Sequence, residues 1–505
     1  MIVSDLGDLS DVLQSTNTLR SMNTPEKKIV QKQPTMAESP MSTATSASQP
    51  SVNEMLQQIQ RSSSLDMSKE FQLPPKGSFM RNSNVNKRRV ASRFENTALP
   101  EIIPLFSKQY NSSAYSKGVQ SRHMCIAKIR QVHETALAPY VIGKQKPPTT
   151  NSQPQNIYAM LVDPSYHGNV GDTMLTLGEL YFMARLGFDN DQIIQCHVIQ
   201  AQRYFHDCGS TLKSVNKTLS QPVAMWNAGG NWGDLWGIQQ PRMKSFVDIL
   251  STNHRLLGMP QSLFYQNEKT EKGDVKIIRD NIIRGLRGDD SMLNTTAGLE
   301  TAQSRVIFTW REYESYEKAK ELYPFVTNVV VPDIAFQLGP FEPMREPNNP
   351  KNVDIVFFLR ADKESELTKS GQRSRQHVQE ALNKISQTKS NSKNLTFTIV
   401  DWGDRRSLFG DKHTLSIVTA IKLLSLGRVV VADRLHATIL TYLTGLPVVY
   451  IDQITGKLTK TLRVAFDSWP GSDGCHDTET SMVAKAANLS DAAEKAVEFL
   501  DKYSL

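Results

Sequence analysis

The chain has 505 residues, enough for two or three domains, and 58 Lys and Arg against 51 Asp and Glu give a formal net charge of +7. That balance suits anionic ligands, but the basic residues are spread along the chain and form no RRM, KH, zinc-finger or basic-zipper pattern, so nucleic acid is not an expected partner. The 4 cysteines, at 125, 196, 208 and 475, are too few for a disulfide scaffold and off the spacing of zinc sites, and read as surface or core thiols. No stretch reaches the ~18 apolar residues that span a bilayer.

Residues 1–100 are rich in Ser, Thr, Gln, Asn and Pro and carry no sustained hydrophobic period, which predicts a disordered extension. Within it, Val52–Ile59 has the pattern of a short helix. The basic cluster Lys87, Arg88, Arg89 and Arg93 follows the Ser-rich stretch Ser62–Ser64 and reads either as a docking segment or as a solvated tail. Met1–Gln14 lacks the basic and apolar regions of a signal peptide, so the expectation is a soluble, cytoplasmic protein, with a Golgi location the alternative if the native chain starts elsewhere. Sequons at Asn111, Asn216, Asn294, Asn394 and Asn488 matter only in that second case. Residues 101–150 read as a helical segment, with Ile126, Ile129 and Val132 on one side, followed by the Pro-containing linker Lys144–Gln155.

Residues 151–340 alternate apolar strands with helical segments. Strands are expected at Ile157–Val162, Ile193–Val198, Val223–Trp226, His254–Leu257, Val306–Trp310 and Asn328–Val331, and a helix at Met174–Leu186. After the Pro-rich stretch Gln337–Lys351, residues 341–505 repeat the pattern with strands at Val353–Leu359, Leu395–Val400 and Arg428–Ala432. A helix follows over Ala437–Leu443, capped by Gly445, then a strand at Pro447–Ile451 and a last helix, Ser490–Tyr503, expected to cross back to the first domain. The fold class is therefore α/β, with two doubly wound Rossmann-like domains facing across a cleft behind a disordered N-terminal extension.

Polar and glycine-rich residues sit just after these strands, on the edge where such sheets bind ligands. Gly168, Asn169, Gly171 and Asp172 lie in a predicted loop after the first strand, and Gly229, Gly230, Trp232 and Asp234 after the third, where Trp232 and Trp236 offer faces to a sugar. Neither loop is a Walker A or dinucleotide fingerprint, so ATP and NAD are not indicated. Gln261 follows the fourth strand, Arg311 the fifth, and Arg434, Leu435 and His436 open the helix after Ala432. A guanidinium and an imidazole at a helix start suit a carboxylate or phosphate ligand, although Arg434 pairing with a neighbouring acid and His436 capping the helix is an equal reading. Asp172 likewise divides between catalytic base and helix cap.

In order along the chain, G-N-V-G-D at 168–172, A-G-G-N-W-G-D at 228–234, M-P-Q-S at 259–262, W-R-E at 310–312, V-P-D at 331–333 and D-R-L-H-A-T at 433–438 resemble the polysaccharide pyruvyl transferase family, while residues 1–150 find no counterpart in it. The resemblance implies a two-domain, GT-B-like transferase that moves the enolpyruvyl carbons of phosphoenolpyruvate onto two hydroxyls of a sugar, forming a pyruvate ketal and releasing phosphate. It implies that Arg434, Leu435 and His436 contact phosphoenolpyruvate and that Arg311 is a second anion clamp. His436 is then the candidate acid, with Asp172 and Asp234 as candidate bases. No coenzyme is implied; phosphoenolpyruvate enters as donor substrate and a sugar or glycan as acceptor. The sequence departs from the family after Pro-Gln-Ser, where a histidine is often found and Leu263, Phe264 and Tyr265 stand here; Tyr265 or His254 are the candidate replacements. A nucleotide-sugar glycosyltransferase and a non-catalytic ligand-binding member are the alternative readings.

Overall fold

A computed structural model describes residues 112–142, 159–165, 169–188, 193–196, 222–234, 245–346, 348–361, 365–388, 395–402, 413–452, 455–467, 475 and 481–505. The expectations for the N-terminal extension, the Lys144–Gln155 linker, Gly168 and Trp236 lie outside them.

Two parallel sheets organise the described chain. The first contains β1 (Ala159–Val162), β2 (Ile193–Cys196), β3 (Val223–Trp226), β4 (Gly229–Gly233), β5 (Arg255–Phe264), β6 (Val306–Trp310) and β7 (Thr327–Val330), in the order β2-β1-β3-β5-β6-β7 with β4 against β5. The second contains β8 (Ile355–Phe358), β9 (Phe397–Val400), β10 (Val429–Ala432), β11 (Val448–Ile451) and β12 (Val483–Ala486), in the order β12-β11-β10-β8-β9. Both reverse strand order beside their first strand, so each has a switch point, β1/β3 in one and β8/β10 in the other, where the crevice beyond the strand ends is open to ligand. Central strands such as Val429–Ala432 are buried on both faces, which is why they read as unbroken apolar runs.

Three segments expected as loops are regular structure, the first being the glycine-rich run after β3, which forms strand β4 over Gly229–Gly233. The strand beginning at Arg255 continues through Gly258-Met259-Pro260-Gln261-Ser262 to Phe264, and β4 pairs with its far half. Pro260 donates no ladder hydrogen bond, and the pairing with β6 shifts register between Gly258 and Gln261, which accommodates it. The helix after β1 starts at Val170, not Met174, so the second half of the G-N-V-G-D motif is a helix N-terminus.

The helices that position the site are α1 (Ser113–Ile142), α2 (Val170–Arg185), α3 (Tyr313–Leu322), α4 (His413–Leu424), α5 (Leu435–Thr444), α6 (Lys457–Phe466) and α7 (Leu489–Tyr503). Gly445 ends α5 in the left-handed conformation at φ 79°, the cap expected from the sequence. Helix α5 packs on α2 and on the 3-10 turn Ile334–Gln337, joining the two sheets. Gly178 permits part of that junction, since a Cβ there would strike the Ile334 carbonyl. The last helix, α7, packs on β10, β11 and β12 within the second sheet instead of crossing back to the first.

The thiol reading of the cysteines is corrected. Cys125 on α1 is bridged to Cys475, which precedes β12, and Cys196 is also disulfide-bonded. Spacing along the chain gave no sign of a bridge with a sequence separation of 350. Among the described residues no helix is long and apolar enough to cross a membrane.

Candidate active site at the carboxyl edges of the two sheets

The residues that follow β6, β7 and β10 converge on one buried carboxylate. Asp333 ends the Val331-Pro332-Asp333 segment and caps the 3-10 turn, its Oδ1 accepting from the Ala335 N–H at 2.9 Å. Its Oδ2 accepts from Arg311 Nη1 at 2.6 Å, and His436 Nε2 lies 3.4 Å from the same oxygen. Burial alone would raise this carboxyl, but the Arg311 guanidinium and His436 outweigh it and hold the group well below the usual carboxylate range.

Arg311 is fully buried and held from a second direction, with Nε donating to Ser262 Oγ at 2.9 Å. Ser262 Oγ donates in turn to Glu312 at 2.6 Å, and Glu312 also accepts from Ser315 at 2.9 Å and, from α6 of the second sheet, Thr461 at 3.2 Å. The network therefore starts on one domain at His436, crosses Asp333, Arg311, Ser262 and Glu312, and returns at Thr461. The hydrogen bonds from Asp333 through Arg311 and Ser262 to Glu312 hold those groups in one orientation.

On its other side His436 lies against α2. A Cβ on Gly171 would fall between 2.5 and 3.2 Å from three atoms of the His436 side chain, so only glycine leaves room for the ring. Asn169 caps the same helix, its Oδ1 accepting from Gly171 N–H at 3.1 Å, while its Nδ2 donates to Asp172 at 2.8 Å. Asp172 thus backs the cap, the plainer of its two sequence readings.

Arg434 also has its plainer partner. It forms a two-pronged pair with Asp401, Nε to Oδ1 at 2.6 Å and Nη2 to Oδ2 at 2.8 Å, so that edge of the guanidinium is filled by the protein's own carboxylate. Leu435 is buried in the core. Asp433, ahead of them, accepts from the Arg360 N–H and Ser365 Oγ, both at 2.7 Å, and burial pushes its carboxyl up to about 6 against those bonds. Of the D-R-L-H run, His436 is the residue that meets Asp333.

Other candidates are placed elsewhere. Trp232 cannot stack on a sugar: it is buried among Phe246, Phe308, Trp310 and Tyr323, with its Nε1 donating to the Tyr323 hydroxyl at 3.1 Å. Asp234 accepts the N–H groups of Gln266 and Asn267, each at 2.8 Å, and secures the turn after β5. Gln261 is buried, its amide donating to the Asn227 carbonyl at 2.5 Å, and Gly229 pairs with it in the ladder. Neither substitute for the missing histidine reaches Asp333: His254 lies at the opposite, amino end of β5, and the Tyr265 hydroxyl meets Tyr323 at 3.2 Å. Gly230, by contrast, borders the site, since a side chain there would meet Lys457 and Arg311.

Asp333, Ser262, Glu312, Asp401 and Lys457 carried no role in the sequence reading, although the first three lie inside motifs that it singled out. Glu179 on α2 went unnoticed as well. It is completely buried, accepts the Ala228 N–H at 2.6 Å, and burial together with Asp333 raises its carboxyl well above the usual range.

Parallel sheets with matched switch points bring a guanidinium, a carboxylate and an imidazole together where their carboxyl edges meet. The chain belongs to the polysaccharide pyruvyl transferase family, whose model matches residues 169–453. It is 25% identical over 305 residues to Pyruvyl transferase 1 of Schizosaccharomyces pombe, covering 58% of this chain and 66% of that one. Over 215 residues it is 27% identical to a protein named putative pyruvyl transferase EpsO in Bacillus subtilis, covering 42% and 53%. These alignments take in less than two thirds of either relative. General stress protein 30 of Bacillus subtilis is 24% identical over 314 residues, covering 59% of this chain and 75% of that one. Helix α1 lies outside the matched residues.

Proposed function

We propose that this protein transfers the enolpyruvyl carbons of phosphoenolpyruvate onto two hydroxyls of a sugar, giving a cyclic pyruvate ketal and inorganic phosphate, in a GT-B-like cleft between its two sheets. The observation that carries the reading is the cluster Arg311–Asp333–His436: a guanidinium able to hold an anion and an imidazole able to move a proton, held by one buried carboxylate.

In this reading His436 gives its proton to C3 of the donor, and positive charge develops at C2. A sugar hydroxyl adds to C2 and gives its proton to the His436 imidazole, which the first step has left neutral. The C2–O bond to phosphate then breaks, the second hydroxyl closes the ring, and its proton leaves with the phosphate. Asp333 orients the ring of His436 throughout, and Gly171 leaves the space it occupies. Arg434 tightens the second domain against Asp401 instead of gripping the donor along that edge.

Calorimetric titration of phosphoenolpyruvate into the full chain tests the reading. Micromolar to millimolar binding is expected, lost in Arg311→Ala, and no binding of uridine or guanosine diphosphate sugars. Nucleotide-sugar binding without phosphoenolpyruvate binding would replace the pyruvyl reading with glycosyl transfer.

A further inference from the structure

Helix α1 lies before the family-matched residues, yet it packs on both elements that carry the Asp333–His436 contact, the 3-10 turn Ile334–Gln337 and α5. On the turn it holds the backbone to either side of Asp333. His133 Nε2 lies 2.9 Å from the Pro332 carbonyl, and since a carbonyl only accepts, Nε2 carries the ring's proton. Nδ1 is then the acceptor. The Gln337 amide donates to it at 3.0 Å, and Arg130 Nη2 donates to the Gln337 carbonyl at 3.0 Å.

About three turns earlier on the same helix face, Arg122 meets the far end of α5. Its Nη1 donates to the carbonyls of Leu443 at 3.2 Å, Phe341 at 3.3 Å and Tyr442 at 3.4 Å, and the Tyr115 hydroxyl donates to the Gly445 carbonyl at 2.9 Å. The last carbonyls of a helix have no partner within it, and a cation beside them is favoured by the helix dipole. Gly445 leaves the room, because a Cβ there would run into the Arg122 guanidinium. With 10 residues α5 is short, so a grip on its end also fixes the direction of its first turn, where His436 sits.

Arg122 and His133 are buried at a desolvation cost that apolar residues would not incur, and Ile126, Ile129 and Leu137 already seat α1 in the core. What the polar pair adds is direction, because hydrogen bonds fix angle as well as distance and apolar contacts do not. We propose that His133 and Arg122 are positioning residues that set the Asp333–His436 contact, His133 from the Asp333 side and Arg122 from the His436 side, so that α1 is part of the catalytic unit. Treating that contact as proton delivery to the donor rests on the pyruvyl-transfer reading; the placing of the His436 ring does not.

The test compares the full chain as wild type, His133→Leu, His133→Gln and Arg122→Met. One readout is phosphate release from phosphoenolpyruvate with a panel of methyl hexosides as acceptor, beside calorimetric donor affinity. The other is the ring NMR signals of His436 in protein made with isotope-labelled histidine, identified by their loss in His436→Ala. In His133→Leu and Arg122→Met turnover should fall about tenfold or more, since a misplaced acid slows the chemical step. Donor affinity should stay within about threefold, since Arg311 keeps its bond to Ser262. The His436 signals should move in both variants. His133→Gln, whose amide can donate to Pro332 and accept from Gln337, should recover most of the turnover and the wild-type signals. Unmoved His436 signals, a loss of donor affinity as large as the loss of turnover, or a His133→Gln no better than His133→Leu would each overturn the assignment. Arg122→Met decides alone if His133→Leu does not fold. A wild type that releases no phosphate counts against the pyruvyl reading and leaves the His436 signals to decide, moved signals upholding the positioning role and unmoved signals overturning it.

Discussion

Asp333 is the residue on which the site turns. It is fully buried, yet its neighbours keep it ionised, so it presents a fixed negative charge to Arg311 and His436 in a setting where water does not screen it. His436 gains its position as much from what is absent beside it as from that charge. Gly171→Ala places a methyl against the ring, while alanine in a helix favours folding by up to about 1 kcal/mol over glycine. The expected outcome is turnover reduced tenfold or more with melting temperature held or raised; full turnover would show that the ring position is not critical. The sequence pointed to His436 through its place in a polar turn and helix start after a strand, and to Arg311 through the family resemblance. It could not reveal that Asp333 joins them, or that Asp401 claims Arg434, since both facts depend on which strands lie side by side.

Among the elements, α1 has an influence out of proportion to its place before the family-matched region. His133 Nε2 meets the Pro332 carbonyl at 2.9 Å, one residue from Asp333, and Gln337 Nε2 meets His133 Nδ1 at 3.0 Å. Arg130 donates to the Gln337 carbonyl at 3.0 Å, and Arg122 reaches carbonyls at the end of α5. The helix was legible from the spacing of Ile126, Ile129 and Val132, but its buried polar residues Arg122 and His133 were not, because their partners lie about 200 residues or more away along the chain. Burial lowers His133 to about 4 from an ordinary 6.5, so the unfolded chain binds a proton there that the folded chain refuses between those values. Stability therefore rises with pH across that window, and the contribution of His133 is lost as pH falls. Relative to His133→Gln, the wild type should lose about 3 kcal/mol on going from pH 7 to pH 4, since each tenfold difference in proton affinity between the folded and unfolded chain is worth about 1.4 kcal/mol. Denaturant titrations of both proteins at several pH values measure it, and parallel profiles would contradict a buried neutral imidazole.

At the scale of the whole molecule, two sheets built on the same strand order turn their carboxyl edges to a common site, and the strands themselves were readable as β-branched runs ending in polar residues. The errors in the sequence reading fell where local pattern and tertiary context part: Pro260 read as a strand end but is absorbed by a register shift, and the first glycine motif starts a helix. The Cys125–Cys475 bridge ties α1 to the far end of the second sheet. The central claim, proton delivery to C3 of phosphoenolpyruvate at the Arg311–Asp333–His436 cluster, is tested most directly by running the reaction in deuterium oxide with a sugar acceptor and following it by NMR. The account predicts a pyruvate ketal whose methyl group carries one solvent deuterium, formed by the wild type and not by His436→Ala. A ketal formed equally well by the variant, or a wild type that leaves phosphoenolpyruvate untouched while consuming a nucleotide sugar, would contradict it.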